Sequence, residues 1–167
     1  SVTRALASGM RVNEILNTHT TMQDPGTAEL AVNDPAEAAK FEHVTFTYKD
    51  AGAPSLTDIT FTARSGETIG VIGGTGSGKS TLIGLVCRFY DADNGGVALF
   101  GHDVKQYSFA QLRRLVGVVP QQAVLFTGTI RDNMQWAAPG ASDEEIWQAL
   151  EIAQAAEFVR GKPGMLD

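Results

Sequence analysis

The sequence of 167 residues has little cysteine, a deficit of basic residues and no long apolar run. Its single cysteine, Cys87, cannot form a disulfide within the chain, which favours a reducing compartment and a packing role for this side chain. No run of about 18 apolar residues and no signal-peptide pattern is present, so we expect the chain to be soluble as given. The net charge of −6 argues against nucleic-acid binding, which relies on phosphate neutralisation.

Glycine, in contrast, is plentiful, and four of the 18 glycines lie in one short stretch. Residues 73–80 read GGTGSGKS, which fits the phosphate-binding pattern G-x-x-x-x-G-K-[ST]. An apolar segment at 67–72 precedes this stretch, and a second apolar segment extends from it to Tyr90. The sequence therefore predicts a strand, a phosphate-binding loop and a helix in succession.

The residue types of this loop suit the binding of a nucleoside triphosphate. All four glycines are expected to adopt positive φ and to let backbone N–H groups approach an anion, while the helix N-terminus adds further donors. Lys79 is expected to reach the β and γ phosphates, Ser80 to coordinate Mg²⁺, and Thr81 is a candidate contact for the α-phosphate. The alternative is a glycine-rich turn with a solvent-facing lysine. The predicted nucleotide-binding residues here are Gly73, Gly74, Thr75, Gly76, Ser77, Gly78, Lys79, Ser80 and Thr81.

The N-terminal part predicts a helix and then a linker. Residues 2–17 have apolar positions at helical spacing with polar residues between them, which predicts an amphipathic helix. Residues 18–39 are rich in Thr, Asp, Ala, Pro and Gly and are interpreted as a linker. We expect the globular part to begin near Lys40.

Alternating apolar residues predict two antiparallel strands at 41–48 and 56–64. Val44, Phe46 and Tyr48 are expected to share one face of the first. Short strands are predicted at 97–100 and 116–119, the latter buried, in addition to the strand that leads into the phosphate loop. This predicts an α/β fold with an antiparallel patch beside a parallel sheet.

Two capping-box patterns predict helices. Ser108 with Gln111 indicates a helix over 109–115, and Ser142 with Glu145 indicates one from 143 to about 159. The second helix is apolar around most of its circumference, so we expect it to need packing partners on several sides.

Several motifs together resemble those of ATP-binding cassette (ABC) transporters. They are Tyr48, the RFYD stretch at 88–91, the VVPQ stretch at 118–121 and the LFTGTIRDN stretch at 125–133. The resemblance covers residues 41–167 and is closest to exporters whose membrane and nucleotide-binding regions share one polypeptide. It implies a P-loop NTPase (ABC-type) core with an antiparallel β subdomain and the start of a helical subdomain, truncated before the later parallel strands.

The resemblance also implies site residues and partners. Tyr48 corresponds to the aromatic residue that stacks on adenine, although a strand aromatic on an apolar face is the alternative. Gln121 corresponds to the glutamine that contacts Mg²⁺ and the attacking water, and Gln122 is the competing register. The cofactors implied are ATP and Mg²⁺. The partners implied are a transmembrane domain and a second nucleotide-binding domain in a head-to-tail dimer, at the cytoplasmic face of the cell membrane.

Mapped onto the chain, the resemblance implies three regions. Residues 1–17 correspond to the end of the last membrane-domain helix, 18–39 to the linker, and 40–167 to the N-terminal part of the nucleotide-binding domain. Within the third region, residues 133–167 correspond to the beginning of the helical subdomain.

Three later motifs of the family have no counterpart at the expected place in this sequence. These are the serine- and glycine-rich signature, an apolar strand ending in Asp-Glu, and the switch histidine; LASGM at 6–10 and VALFGHD at 97–103 only echo the first two. All three histidines, His19, His43 and His102, precede Gln121 and are interpreted as surface or strand residues. We therefore expect about the first half of a nucleotide-binding domain, with poor stability as a monomer and negligible ATP hydrolysis by itself.

Two other classes of protein remain as alternatives. A small-molecule or nucleotide kinase shares the phosphate loop but needs an arginine-rich lid, and the sequence has a single adjacent arginine pair, Arg113 and Arg114. A GTPase would need an Asn-Lys-x-Asp guanine-binding motif, which the sequence lacks. The second alternative is a non-catalytic interaction module in which bound nucleotide only orders the fold.

Overall fold

The computed structural model describes residues 2–18, 20 and 22–167, so His19 lies outside the described residues. The chain divides into two compact units, Ser1–Gly117 and Val118–Asp167. The first unit contains α1 (Val2–Leu16), β1 (Glu37–Phe46), β2 (Leu56–Arg64), α2 (Lys79–Val86), β3 (Asn94–Leu99), β4 (His102–Asp103), a 3-10 turn (Val104–Gln106) and α3 (Phe109–Leu115). The second contains α4 (Ile130–Gln135), α5 (Asp143–Ile152) and α6 (Ala156–Arg160).

The first unit is built on a four-stranded sheet in the order β2-β1-β3-β4, in which every neighbouring pair is antiparallel. The predicted antiparallel pair of strands is confirmed, with β1 beginning at Glu37 rather than at Phe41. Phe41 and Phe61 face each other across this pair and stack with ring centroids 4.7 Å apart. This cross-strand pair anchors the sheet to the core.

Two of the three register irregularities in the β1–β2 pair change which residues face the core. The register shifts by one residue between Phe41 and Val44 of β1 and shifts back between Val44 and Phe46; near these shifts His43 of β1 and Asp58 of β2 have φ of 51° and 50°. A bulge inserts one residue and so reverses the alternation of faces. Phe41 is therefore buried together with Val44 and Phe46, whereas strict alternation would place Phe41 on the opposite face.

Two predicted strands are absent from the described residues. Residues 67–72 and 116–119 form no strand, and neither segment pairs with a neighbouring strand. A strand is stable only where another strand satisfies its backbone N–H and C=O groups, so apolar composition alone does not create one. Ile72 and Val119 are almost fully exposed, which corrects the predicted burial of the second segment.

Helix α2 ends in a Schellman motif whose left-handed residue is an arginine. Phe89 N–H donates to Gly84 O at 2.8 Å and Arg88 N–H to Leu85 O at 3.1 Å, while Arg88 has φ of 51°. The buried Arg88 side chain also binds Asp91 and the carbonyl of Gln23. Cys87 caps this helix and is half-buried, and burial raises the pKa of its thiol.

Helix α3 confirms the helix predicted at 109–115, but the capping box forms only in part. Ser108 Oγ accepts from Gln111 N–H, whereas the Gln111 side chain turns to Leu30 and binds that residue's N–H at 3.0 Å and C=O at 2.7 Å. Gln111 is buried, and this pair of bonds joins the segment before β1 to α3.

The second unit has a small core formed by Ile146, Leu150, Ala156, Val159 and Leu166. The capping box of Ser142 and Glu145 is confirmed, but the single helix predicted for 143–159 is wrong. The chain breaks between α5 and α6 because Gln154 adopts φ of 57° in a second Schellman motif. Helix α4, capped by Thr129 and Asp132, was not predicted.

Candidate phosphate-binding site

The predicted phosphate loop borders an open cavity of about 320 Å³ in the first unit. Its lining residues come from the end of β1, the start of β2 and the loop that leads into α2, and they are Tyr48, Ser55, Gly76, Ser77, Gly78, Lys79, Ser80 and Thr81. Six of the predicted loop residues and Tyr48 therefore share one cavity. Gly73, Gly74 and Thr75 precede these lining residues and are exposed.

The glycines of the loop differ in backbone conformation and in the space around the missing Cβ. Gly76 and Gly78 adopt positive φ, at 80° and 89°, which corrects the expectation that all four glycines do so. A Cβ on Gly78 would lie 2.6 Å from Ser55 O, so the loop passes directly over the start of β2. A Cβ on Gly73 would lie 2.5 Å from Ser77 Oγ, so at this position a side chain would have to displace the Ser77 hydroxyl.

Helix α2 begins at Lys79, with Gly78 as its N-cap and no side-chain cap. The first N–H groups of a helix have no partner within the helix, and its N-terminus has a partial positive charge. Those donors are at the cavity, since Gly78, Lys79 and Ser80 all line it. An anion is the chemical species that this arrangement suits.

The Lys79 side chain folds back over the loop. Its Nζ donates to Gly73 O and Gly74 O, each at 2.7 Å, and lies 3.4 Å from Ser77 Oγ. An ammonium group has three donors on a flexible stem, so it can exchange these carbonyl contacts for phosphate oxygens without moving the backbone. Lys79 is thus bonded to the loop and is not directed only into solvent, while its contact with phosphate stays a prediction.

Tyr48 lies just beyond the end of β1, and its hydroxyl is 3.0 Å from Thr81 Oγ1. Thr81 is buried, at 4% exposure, whereas Tyr48 is half-buried. The Tyr48 ring meets Phe46 and Tyr90 edge to face, with centroids 4.9 and 5.1 Å apart. The structure therefore brings Tyr48 to the cavity and pairs Thr81 with it. The aromatic partner Tyr90 and the lining residue Ser55 were missed by the sequence analysis.

Gln121 and Gln122 belong to the second unit, where both are exposed and lie outside any helix or strand. The predicted role of Gln121 therefore stays a prediction. The second unit also has an open cavity of about 410 Å³ beside α4 and α5, but its lining is mainly apolar and its charged side chain is the Glu145 carboxylate. A negative charge disfavours an anion there.

The two described histidines have structural partners. His43 Nδ1 lies 2.7 Å from Asp58 Oδ1, and His102 Nε2 lies 3.0 Å from Ala31 O. Within residues 2–18, 20 and 22–167, no cluster of three or more His, Cys, Asp or Glu side chains could hold a metal ion. A hard cation at the phosphate loop would instead rely on the Ser80 hydroxyl and on oxygens of the ligand.

Comparison with known proteins gives a consistent family. The ABC transporter family matches residues 56–165. The chain is 38% identical over 165 residues to the ABC transporter ATP-binding protein YfiB of Bacillus subtilis strain 168, which is described as uncharacterized, and this match covers 99% of the chain. It is 40% identical over 122 residues, 73% of the chain, to a candidate multidrug export ATP-binding/permease protein of Staphylococcus aureus strain NCTC 8325.

A solved structure of a bacterial Atm1-family ABC exporter with ATP bound superposes on 99% of the chain with a TM-score of 0.84 and 31% identity. The chain spans 28% of the Bacillus protein, 21% of the Staphylococcus protein and 29% of the Atm1-family chain. None of the helices described here has the length and hydrophobicity needed to span a bilayer. From the match to more than half of its residues, together with these relatives, the chain belongs to the ABC transporter family.

Proposed function

We propose that the chain binds ATP with Mg²⁺ in the cavity between Tyr48 and the phosphate loop, and that the complete protein hydrolyses ATP to drive export across a membrane. The observation that carries this proposal is the shared cavity, because phosphate donors, a lysine and an aromatic ring meet there. A nucleoside triphosphate has groups that match these two parts of the cavity, with anionic phosphates at one end and a flat base at the other.

The phosphate end is held by this chain's own donors. Gly76 and Gly78 keep the loop backbone in the left-handed region, and the first N–H groups of α2 add to the donors at the same point. Lys79 exchanges the carbonyls of Gly73 and Gly74 for the β and γ phosphates. Its charge then offsets the negative charge of the phosphate chain.

Magnesium fits the donor set at this end. The exposed Ser80 hydroxyl lies in the first turn of α2 and lines the cavity, and Mg²⁺ prefers a few protein oxygens combined with phosphate oxygens. When bound, the ion neutralises charge on the β and γ phosphates. We assign Ser80 to it and propose Gln121 as a further contact to the ion and to the attacking water.

The base end depends on Tyr48. Its ring lies at the cavity, and stacking of a base on an aromatic ring contributes about 1–3 kcal/mol per base. The Thr81 hydroxyl already pairs with the Tyr48 hydroxyl, so we assign Thr81 first to holding Tyr48 and only second to the α-phosphate.

The remaining parts of the proposal concern the assembly. We propose residues 1–17 as the end of a membrane-domain helix, a fused or associated transmembrane domain as partner, and a head-to-tail dimer of nucleotide-binding domains at the cytoplasmic face of the membrane. The names of the relatives, a candidate export permease and an Atm1-family exporter, support this proposal. We expect the 167-residue chain alone to hydrolyse ATP negligibly, because it supplies phosphate-holding groups without the later family motifs.

The test is titration of the purified chain with a ribose-labelled fluorescent ATP in Mg²⁺. We expect Lys79→Ala to weaken binding by about 2 kcal/mol, roughly thirtyfold, because it removes a charged donor. Tyr48→Ala is expected to cost about 1–3 kcal/mol through lost stacking. Lys105→Ala is the matched control, since Lys105 is exposed and outside the cavity lining.

Absence of binding, or equal binding by the Lys79 and Lys105 variants, would contradict the proposed site. Phosphate release measured on the same samples tests the hydrolysis step. Turnover by the chain alone that disappears in Lys79→Ala would contradict the expected inactivity.

A further inference from the structure

We propose that Tyr90 is a positioning residue for nucleotide binding, which acts by holding the ring of Tyr48 at the cavity. This inference rests on the proposed function, since it assigns a support to the residue that we propose contacts the base. Tyr90 does not line the cavity, so its effect must pass through Tyr48.

The backbone places Tyr90 through the end of α2. The Schellman motif at Arg88 reverses the direction of the chain after α2, so that Tyr90 lies beside α2. The Tyr90 ring packs closely against Gly84 of α2, where a Cβ would lie only 3.2 Å from the ring atoms Cδ2 and Cε2. A glycine inside a short helix is unfavourable by about 1 kcal/mol relative to alanine, so the close ring contact gives this glycine a physical reason.

Tyr48 needs such a support because the sheet does not fix it. The residue lies two positions beyond the end of β1, where no ladder hydrogen bond orients its side chain. Its ring is held by Phe46 at 4.9 Å, by Tyr90 at 5.1 Å and by the hydroxyl bond to Thr81. Phe46 and Tyr90 also meet each other, with centroids 5.4 Å apart, so the three rings form one cluster.

The consequence is specific to the base end of the ligand. Without the Tyr90 ring, Tyr48 keeps Phe46 and Thr81 but gains freedom about its side-chain torsions. Ligand binding must then order the Tyr48 ring, which reduces the contribution of the base to the affinity and leaves the contribution of the phosphates unchanged. Aromatic pairs of this geometry predict a loss of about three- to tenfold in affinity.

The experiment compares two ligands by isothermal titration calorimetry on the full chain. MgATP reports both ends of the site, whereas inorganic triphosphate with Mg²⁺ reports the phosphate end alone, so the ratio of their dissociation constants measures the base contribution. We expect Tyr90→Leu to reduce that ratio about three- to tenfold while leaving triphosphate affinity within about twofold. Tyr90→Phe keeps the ring and is expected to behave as the wild type.

Phe89→Leu is the matched control, because it removes a neighbouring ring that is largely exposed. An unchanged ratio in Tyr90→Leu overturns the inference, and so does an equal loss for both ligands, which would indicate damage to the phosphate loop. If the wild type binds neither ligand, or Tyr48→Ala leaves the ratio unchanged, the proposed function itself fails and the inference with it. These two results differ from an unchanged ratio in Tyr90→Leu alone, so the failures are distinguishable.

Discussion

Alanine at three glycines of the phosphate loop should cost three different amounts of stability. Gly74 has no positive φ and open space around its missing Cβ, Gly76 has φ of 80° with open space, and Gly78 has φ of 89° with Ser55 O 2.6 Å away. The three positions therefore separate backbone strain from steric overlap within one loop.

The magnitudes follow from these surroundings. A residue with a Cβ in the left-handed region costs roughly 1–2 kcal/mol, which applies to Gly76→Ala and to Gly78→Ala. Gly78→Ala adds an overlap with a backbone carbonyl and with Leu56 Cδ2 at 2.7 Å, worth about 1–3 kcal/mol more. We expect losses of about 0, 1 and 3 kcal/mol for the alanine variants at 74, 76 and 78.

Urea unfolding provides the measurement. All three tyrosines, Tyr48, Tyr90 and Tyr107, lie in the first unit, and both tryptophans, Trp136 and Trp147, lie in the second. Selectively excited tryptophan fluorescence therefore reports the second unit, and the near-UV circular dichroism change that tryptophan fluorescence does not share reports the first. The tryptophan transition is the internal control and should not change. Equal losses at 76 and 78, or a loss at 74 as large as at 78, would refute the reasoning.

Two further perturbations test the packing outside the loop. Gln111→Ala should lower the free energy of unfolding of the first unit by about 2 kcal/mol, because it leaves the N–H and C=O of Leu30 without their side-chain partner. We also expect faster proteolysis before Glu37. An unchanged unfolding midpoint would contradict this role of Gln111. In the second unit, the backbone N–H of Ser142 and then its hydroxyl lower the pKa of Glu145, and Arg131 lowers the pKa of Asp167. Both folded pKa values lie below the ordinary values of 4.5 and 3.8, so the two ionised carboxylates stabilise the folded second unit. Their contribution to stability is complete above the ordinary values and is lost as the pH falls through the folded pKa values. Arg131→Met should weaken this acid dependence of the tryptophan signal, whereas Lys162→Met, which removes a cation lying over the Phe158 ring, should preserve it. Identical acid profiles for wild type and Arg131→Met would contradict the assignment.

Local patterns in the sequence predicted the local features of the fold. The alternation at 56–64 and the serines at 108 and 142 act within a few residues, and the corresponding strand and helix starts are confirmed. The motif also singled out residues at 76–81 that lie together at one cavity, while their role in phosphate binding stays a prediction.

The errors arise where distant residues or unusual backbone angles decide the outcome. The strands predicted at 67–72 and 116–119 depend on partners that no local pattern supplies. Two residues after the ends of α2 and α5, Arg88 and Gln154 adopt the left-handed region without the glycine that normally signals such a helix end. The side chain of Gln111 binds Leu30, 81 positions away, so its capping pattern was satisfied only in part.

The phosphate loop takes its shape without a strand leading into it, which shows where its support lies. On the β-sheet side, Gly78 contacts Ser55 and Leu56 at the start of β2, and on the helical side the loop ends in α2. Within the loop, Lys79 ties the carbonyls of Gly73 and Gly74 together. Helix α2 is eight residues long, or about 12 Å; its N-terminus borders the cavity, and the turn after its C-terminus places the Tyr90 ring against the Tyr48 ring. Both ends of this helix therefore bear on Tyr48, since Thr81 in its first turn pairs with the Tyr48 hydroxyl and the Tyr90 ring, which follows its last turn, packs on the Tyr48 ring; we expect changes at either end of α2 to alter the position of that ring.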